Sequence, residues 1–155
     1  MMIVYKGTLI AVKNMDESKK FYHDILGMNV VGDFGANVQL DSGLFLQTLD
    51  TWGSFINNKD ICLQNNAGEL YFEECDIDKF LEKLKETNIE YVHEPLEHPW
   101  GQRVVRFYDP DHHIIEVAED IVMVVKRFYD SGMSQKQVAV RMDVPVDYVK
   151  GCLAQ

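Results

Sequence analysis

The sequence predicts an α+β protein that consists of two copies of a βαβββ module followed by C-terminal helices. Two observations lead to this fold class. The order strand, helix, three strands occurs twice within residues 1–119, at a spacing of roughly 55–60 residues, and repetition at a fixed period is strong evidence for a fold built from repeated units. A different, purely helical pattern begins near residue 120.

The first copy is predicted over about residues 1–60. GTLIAV alternates as a strand does, and SKKFYHDILGM places apolar residues at helical spacing. Asp16 or Ser18 is the expected N-cap of this helix, and Gly27 is its expected stop. Three short strands are predicted near VVGDF, NVQLD and LFLQTL, and the polar segment INNKDICLQNNAG is predicted to connect the two copies.

The second copy is predicted over about residues 66–119. ELYFEE alternates as a strand, and Asp76 is the expected cap of a helix whose apolar residues recur at i, i+3, i+4 and i+7. Three further strands are predicted at IEYVHE, QRVVRFY and HIIEVAE. Together the two copies define a predicted domain over residues 1–119.

Residues 120–155 are predicted to form a C-terminal helical extension. IVMVVKRFYDSG has a helical pattern, and SQKQVAVRMDVPVDYVKGCLAQ predicts two short helices broken near Pro145, with a helix-turn-helix cadence. Lys136, Arg141 and Lys150 are too few for a phosphate-binding face. We therefore expect the extension to dock on the body or to cover a dimer surface.

Composition excludes several classes of protein. The chain has 155 residues and a net charge of −10. Residues 1–119 hold 10 Lys and Arg against 21 Asp and Glu, a net −11, which argues against nucleic-acid binding by the main domain. No apolar run approaches the roughly 18 residues that a membrane span needs. Three cysteines without CxxC spacing predict reduced thiols and a cytoplasmic protein.

Three segments carry a resemblance to a known family. They are AVKNMDESKKFYHDILGM, ELYFEECDIDKFLEKL and HPWGQRVVRFYDPDHHIIEVAE, and together they span about residues 5–119. The sequence resembles the vicinal-oxygen-chelate superfamily, which includes glyoxalase I, extradiol dioxygenases and bleomycin-resistance proteins. The resemblance implies two curved mixed sheets around a central pocket, with up to four ligands for a divalent metal.

Carrying the family's four ligand positions onto this chain gives an unusual set. They fall on Gly7, Gln47, Glu69 and Glu116. The resemblance thus implies a metal site of Gln47, Glu69 and Glu116, with Glu69 and Glu116 as the candidate catalytic residues. Oxygen donors favour Mg²⁺ or Mn²⁺, and Ni²⁺ or Zn²⁺ are the further candidates. The alternative is a solvated ligand pocket in which two carboxylates and an amide bind no metal.

A second group of candidate ligand-binding residues is Tyr71, Trp100, Gln102 and Arg103. Trp100 offers a flat apolar wall, and Arg103 suits an anionic or carbonyl-bearing ligand. In the alternative interpretation Trp100 fills a seam between sheets and Arg103 pairs with an acidic neighbour. His112 and His113 stand in the turn DPDHH, where a solvated turn is favoured over a pair of metal ligands.

The resemblance implies two candidate functions, and the helical extension adds a third. The first is a glyoxalase-like enzyme of the lyase or isomerase type that acts on a small-molecule substrate, assisted by a divalent metal. The second is a non-catalytic binder that sequesters a small molecule, as bleomycin-resistance proteins do. The third is a ligand-responsive regulator that signals through the helical extension. A homodimer is the expected oligomeric state.

Overall fold

The computed structural model describes residues 2–155, which form two compact units. The first unit contains the chain up to Asn66 together with Asp109–His113. The second unit contains Ala67–Tyr108 and Ile114–Gln155. Each unit contains one four-stranded mixed sheet, and the predicted fold class is therefore confirmed.

The first unit follows the order βαβββ and adds one short helix. Its elements are β1 (Thr8–Val12), α1 (Met15–Leu26), β2 (Val30–Asp33), β3 (Asn37–Leu40), β4 (Leu44–Thr48) and α2 (Leu49–Phe55). The strand order is β1-β4-β3-β2, with β1 parallel to β4 and the other neighbours antiparallel.

Two local features of the first unit differ from the expectation. The N-cap of α1 is Asn14, whose Oδ1 accepts from the backbone N–H groups of Asp16 and Glu17, so the predicted caps Asp16 and Ser18 were wrong. Ser18 is helical and buried, and its hydroxyl donates to the Asn14 carbonyl oxygen. The helix α2 was not predicted, because LDTWGSF is too short to show a helical period. Gly27 ends α1 with a φ of 70°, as expected.

The second unit repeats the same order of elements. They are β5 (Glu69–Glu74), α3 (Ile77–Lys85), β6 (Tyr91–Glu97), β7 (Arg103–Tyr108) and β8 (Ile114–Glu119). The strand order is β5-β8-β7-β6, with β5 parallel to β8. Asp76 caps α3 by accepting from the backbone N–H of Lys79, as predicted. The helix buries Ile77, Phe80 and Leu84.

The C-terminal extension forms three helices with a core of their own. They are α4 (Ile121–Asp130), α5 (Gln135–Met142) and α6 (Val146–Leu153), and Pro145 stands at the start of α6. Ser134 and Gln137 form a capping box on α5. Eight buried side chains make up the core: Val124, Val125, Phe128, Val138, Ala139, Met142, Val149 and Cys152. No helix within residues 2–155 has the length and apolar character needed to cross a membrane.

Arginine side chains join these helices to the rest of the second unit. Arg127 of α4 donates to the Gly101 carbonyl oxygen at 2.6 Å and to the Glu119 carboxylate. Arg141 of α5 donates to the Pro99 carbonyl oxygen and to Glu97. The contacts agree with the expectation that the extension docks on the body. They also use two of its cations, which leaves fewer to contact phosphate.

The DPDHH turn belongs to the first unit, where its aspartates are buried and fully engaged. Asp109 accepts the Tyr22 hydroxyl at 2.8 Å and two backbone N–H groups of its own turn. Asp111 accepts the Lys13 backbone N–H with both carboxylate oxygens. His113 Nδ1 lies 2.9 Å from Asp109 Oδ2. The turn is therefore a structural clamp, and its contacts give no support to a metal-binding His pair.

Removing the Tyr22 hydroxyl should destabilise the protein by about 1–3 kcal/mol, because a buried carboxylate then loses a donor. Burial and the neighbouring Asp109 raise the pKa of Tyr22 well above its ordinary value, so this hydroxyl stays a donor throughout the working pH range. Urea unfolding of Tyr22→Phe measures the effect. Tyr5→Phe is the matched control, since Tyr5 is exposed and bonds Thr8 at 2.7 Å. Equal losses in both variants would contradict the clamp.

Candidate functional site

The candidate site is a row of four side chains that crosses the sheet of the second unit. Tyr71 of β5 is paired with Glu116 of β8, Glu116 with Arg106 of β7, and Arg106 with His93 of β6. Side chains of residues paired in register project from the same face of a sheet. Glu69 lies two residues before Tyr71 and therefore shares that face. The sheet thus presents a carboxylate pair, a guanidinium, an imidazole and a phenol together.

Arg106 is the centre of this row. Its Nε donates to Glu69 Oε2 at 2.7 Å, and its Nη2 donates to Glu69 Oε1 at 3.4 Å and to Glu116 Oε2. Glu116 is buried, with 5% of its surface exposed, whereas about a third of the Glu69 side chain is exposed. A single guanidinium therefore neutralises part of the charge of two carboxylates, one of them out of water.

His93 completes the set of acceptors around Arg106. Its Nε2 lies 3.3 Å from Arg106 Nη1, and its Nδ1 lies 2.8 Å from the Glu94 carbonyl oxygen. A carbonyl oxygen only accepts and a guanidinium only donates, so Nδ1 carries the proton and Nε2 accepts. The pairing of β6 with β7 shifts register on both sides of His93, and such bulges re-aim a side chain at an edge strand.

The loop that follows β6 forms an aromatic border beside the row. His98 stacks on Trp100 with ring centroids 4.2 Å apart, and the Trp100 indole N–H donates to Gln102 Oε1 at 3.1 Å. Gln102 is buried and donates to the Glu119 carbonyl oxygen and to the Tyr71 hydroxyl. Burial lowers the pKa of His98, and the positive charge of Arg106 lowers it further.

Tyr71 and Trp100 are the exposed aromatic side chains at this border, with 52% and 39% of their surfaces accessible. The Tyr71 hydroxyl donates to Glu73 at 2.6 Å. Its pKa is raised, first by burial and then by this bond, so the phenol remains protonated at neutral pH. The two rings are therefore held by hydrogen bonds at their polar edges while other parts of their surfaces face solvent.

Arg103 pairs with acidic neighbours, which is the alternative to the ligand-binding role considered for it in the sequence analysis. It donates to both oxygens of Glu119 at 3.0 Å and to Asp78 at 2.7 Å. The hydrogen bonds to Glu119 raise the pKa of Arg103 further. These contacts use three of its nitrogen atoms, and they favour a structural role over recognition of an anionic ligand.

Gln47 lies in the first unit, in the row Ala11, Gln47 and Asn37. It is buried, its Oε1 accepts from Asn37 Nδ2 at 2.8 Å, and its Nε2 donates to Thr51 Oγ1. Gly7 precedes β1, and a Cβ atom there would lie 1.9 Å from the Gly43 carbonyl oxygen. Gly7 is thus a point of close backbone approach that leaves no room for a ligating side chain.

The carboxylates that the resemblance assigns to a metal ion bind a guanidinium instead. A divalent ion needs carboxylate oxygens with free lone pairs, and oxygens of Glu69 and Glu116 already accept from Arg106. Within the part of the chain that the structure describes, residues 2–155, no group of three or more His, Cys, Asp or Glu side chains is placed to hold a metal. These residues do not fit a metal ion while Arg106 is in place.

Strand alternation placed Glu69, Glu116 and Tyr71 on the face where the structure has them, whereas Arg106 and His93 were missed as members of the site. Alternation in RVVRFY puts Arg106 on the face of β7 away from the apolar Val105 and Phe107. This alternation could have indicated that Arg106 belongs to the site. The pairing of Arg106 with Glu116 depends on the register between β7 and β8, and strand patterns alone do not define register.

Comparison with known proteins yields consistent matches. The family model described as a glyoxalase-like domain matches residues 5–123, which end within α4. An uncharacterized protein of Bacillus subtilis (strain 168), YraH, is 26% identical over 117 residues, 70% of this chain and 91% of its own length.

Two solved structures from Agrobacterium tumefaciens have similar folds. A protein of unknown function from strain C58 is 31% identical with a TM-score of 0.70 and covers 77% of this chain and 96% of its own. A lactoylglutathione lyase is 22% identical with a TM-score of 0.58, at 77% and 95% coverage, and this likeness concerns the fold alone.

Proposed function

As the chain belongs to the glyoxalase-like domain family of the vicinal-oxygen-chelate superfamily, we propose that it binds a small aromatic cation, without the help of a metal, on the face of the second sheet that carries Tyr71 and Arg106. The observation that carries the proposal is the insertion of Arg106 between Glu69 and Glu116. With those carboxylates engaged, the surface left for a ligand consists of aromatic rings and acidic groups.

Charge and ring chemistry favour a cation. Glu69, Glu73 and Glu116 contribute three negative charges to this face and Arg106 one positive charge, a net −2. Tyr71 and Trp100 expose ring surface, and Trp is the strongest cation–π partner among the side chains. The whole chain carries −10, which raises the local concentration of cations further. An anion would meet repulsion, since the guanidinium of Arg106 is already engaged by carboxylates.

The enzyme of the lyase or isomerase type is the second candidate. Glu116 supports it, because a buried carboxylate next to a fixed cation can accept a proton from a bound substrate. The contacts of Gln47 and Arg106 favour the binder, since they leave the expected metal ligands engaged.

Ethidium, a planar aromatic cation, should bind at least about tenfold more tightly than the anion 1-anilinonaphthalene-8-sulfonate, given the acidic face. Trp100 fluorescence in a Trp52→Phe background reports on the site. Trp100→Phe and Glu69→Gln should each weaken ethidium binding, and higher salt should weaken it too. Binding to the Trp100 variant is measured by the fluorescence of ethidium itself. EDTA should change nothing.

Equal affinity for the cation and the anion would refute the proposal, as would an ethidium affinity that is unchanged in both Glu69→Gln and Trp100→Phe. Glu82→Gln, at an exposed position on α3 outside the row, is the matched control, because it also removes one negative charge. If the parent protein chemically converts a bound compound and Glu116→Gln does not, the function is that of the enzyme instead of the binder.

A further inference from the structure

We infer that the C-terminal extension sets the position of Trp100, and that Arg141 of α5 is the positioning residue through which it does so. The inference deepens the proposed function by naming what controls the aromatic border, and its consequence for ligand binding rests on that function. Helix α5 lies beyond residues 5–123, which the family model matches, so this control comes from outside the family domain.

Trp100 stands in a short closed loop, residues 98–102, between β6 and β7. The His98 backbone N–H donates to the Gln102 carbonyl oxygen at 2.9 Å, and the Gly101 N–H donates to the His98 carbonyl oxygen at 2.8 Å. The second bond joins residues i and i+3, and HPWG has proline and glycine at the positions that such a β-turn favours. A contact that moves the backbone of this tight turn therefore also moves Trp100.

The residues on either side of Trp100 both offer their carbonyl oxygens to the extension. Arg141 Nη1 donates to the Pro99 carbonyl oxygen, which belongs to the peptide bond that joins Pro99 to Trp100. Arg127 Nη2 donates to the Gly101 carbonyl oxygen at 2.6 Å. Holding the backbone on both sides of a residue limits the directions in which its side chain can leave the chain.

Arg141 is itself held in place by two further contacts. Its Nη2 donates to Glu97 at 3.1 Å, and its guanidinium lies over the Phe128 ring, 5.2 Å from the centroid. That distance is typical of a cation–π contact. Phe128 belongs to the buried core of the extension, whereas 35% of the Arg141 side chain is exposed. Arg141 can therefore be replaced without opening that core.

The polar edge of the indole leads to the same helices. The Trp100 N–H donates to Gln102 Oε1 at 3.1 Å, and Gln102 Nε2 donates to the Glu119 carbonyl oxygen at 2.9 Å. The Glu119 carboxylate accepts from Arg127 of α4. Both the backbone and the ring of Trp100 are thus tied to the extension. Arg127 is the poorer probe of this tie, because replacing it also disturbs a buried carboxylate.

Arg141→Met should release Trp100 while the fold is kept. Methionine keeps a long apolar side chain against Phe128 and removes every N–H donor. In a Trp52→Phe background Trp100 is the one tryptophan left, because the chain has two. Its quenching by acrylamide, which carries no charge, should rise by up to about twofold as the indole becomes more accessible.

The same variant should bind ethidium about tenfold more weakly, since the indole is the strongest cation–π partner on this face. Removing a positive charge alone has the opposite effect, because it strengthens the binding of a cation. Lys150→Met is the matched control: it removes one positive charge from the extension, and the Lys150 ion pair with Asp147 lies within α6. This control should leave quenching unchanged and ethidium affinity equal or slightly higher. Arg141→Lys, which keeps a donor for the Pro99 carbonyl oxygen, should restore part of both properties.

Two results would overturn the inference. The first is quenching and ethidium affinity in Arg141→Met equal to those in Lys150→Met. The second is weaker ethidium binding with no change in quenching, because Trp100 has then not moved. In a Trp100→Ala background Arg141→Met should have no further effect on ethidium binding, since it acts through the indole. If circular dichroism shows that Arg141→Met is unfolded, Arg141→Leu takes its place.

The outcomes separate this inference from the proposed function. If the parent protein does not bind ethidium, the proposed function fails, and acrylamide quenching still tests the position of Trp100. Greater quenching in Arg141→Met than in Lys150→Met then supports the inference, and equal quenching overturns it. If the parent binds ethidium as expected and Arg141→Met binds it equally well, only the inference fails.

Discussion

Replacing Glu119 with Gln should destabilise the protein by about 3–5 kcal/mol, the usual consequence of breaking a buried ion pair. Only 2% of the Glu119 surface is exposed, and its two oxygens accept four N–H bonds at 2.9–3.0 Å, two from Arg103 and two from Arg127. An amide accepts with one oxygen only and carries no charge. The substitution therefore leaves each of the two guanidinium groups with one of its two Glu119 acceptors.

Urea unfolding measures this loss, and Glu97→Gln is its control. Glu97 also pairs with arginines, Arg127 and Arg141, but it is far more exposed. Exposed pairs contribute about 0.2–1 kcal/mol, so this substitution should be nearly neutral. A Glu119 variant no less stable than the Glu97 variant would show that the network holds the C-terminal helices no better than surface charges do.

The same carboxylate should make stability depend on acid. Burial raises the pKa of Glu119, but the hydrogen bonds from Arg103 and Arg127 outweigh burial, and the pKa lies below its ordinary value. A group with a lowered pKa stabilises the fold above its unfolded pKa of about 4.3 and ceases to do so as the pH falls through the folded value. The difference in stability between the parent and Glu119→Gln should therefore shrink below about pH 4.

The pattern of strands and helices could be predicted because it depends on local sequence. Alternation in ELYFEE and HIIEVAE placed Glu69 and Glu116 on the correct faces, and periodicity located α3 and the three C-terminal helices. Asp143, which adopts a φ of 55° between α5 and α6, shows that a turn without glycine can still be formed by an aspartate.

What the sequence did not predict depends on pairings between distant segments. Arg106 meets Glu116 only through the register of β7 on β8, and His93 is aimed by two bulges in β6. The sequence allowed Arg103 to bind either a ligand or an acidic neighbour, and the fold surrounds it with Glu119 and Asp78. Charge type is visible in a sequence, whereas the partner of each charge is decided by tertiary structure.

Gly101→Ala should cost about 2–5 kcal/mol, because it combines backbone strain with overpacking. Gly101 has a φ of +93°, and a Cβ atom there would lie 2.2 Å from the Phe128 ring. Phe128 is part of the buried core of the C-terminal helices, so the ring has little room to move. The Gly101 carbonyl oxygen also accepts from Arg127, so a displaced loop loses that bond too.

Gly132→Ala separates the two causes of this loss. Gly132 has a φ of +99°, and a Cβ atom built there would meet no other atom of residues 2–155 within 4 Å. This variant should therefore show the cost of backbone strain alone. Phe128→Leu should restore part of the stability of Gly101→Ala and none of that of Gly132→Ala, which a double-mutant cycle measures. Because Gly101 adjoins Trp100, ethidium binding should weaken in Gly101→Ala and persist in Gly132→Ala. If the two glycine variants lose equal stability and bind ethidium equally well, the C-terminal helices do not position the aromatic border.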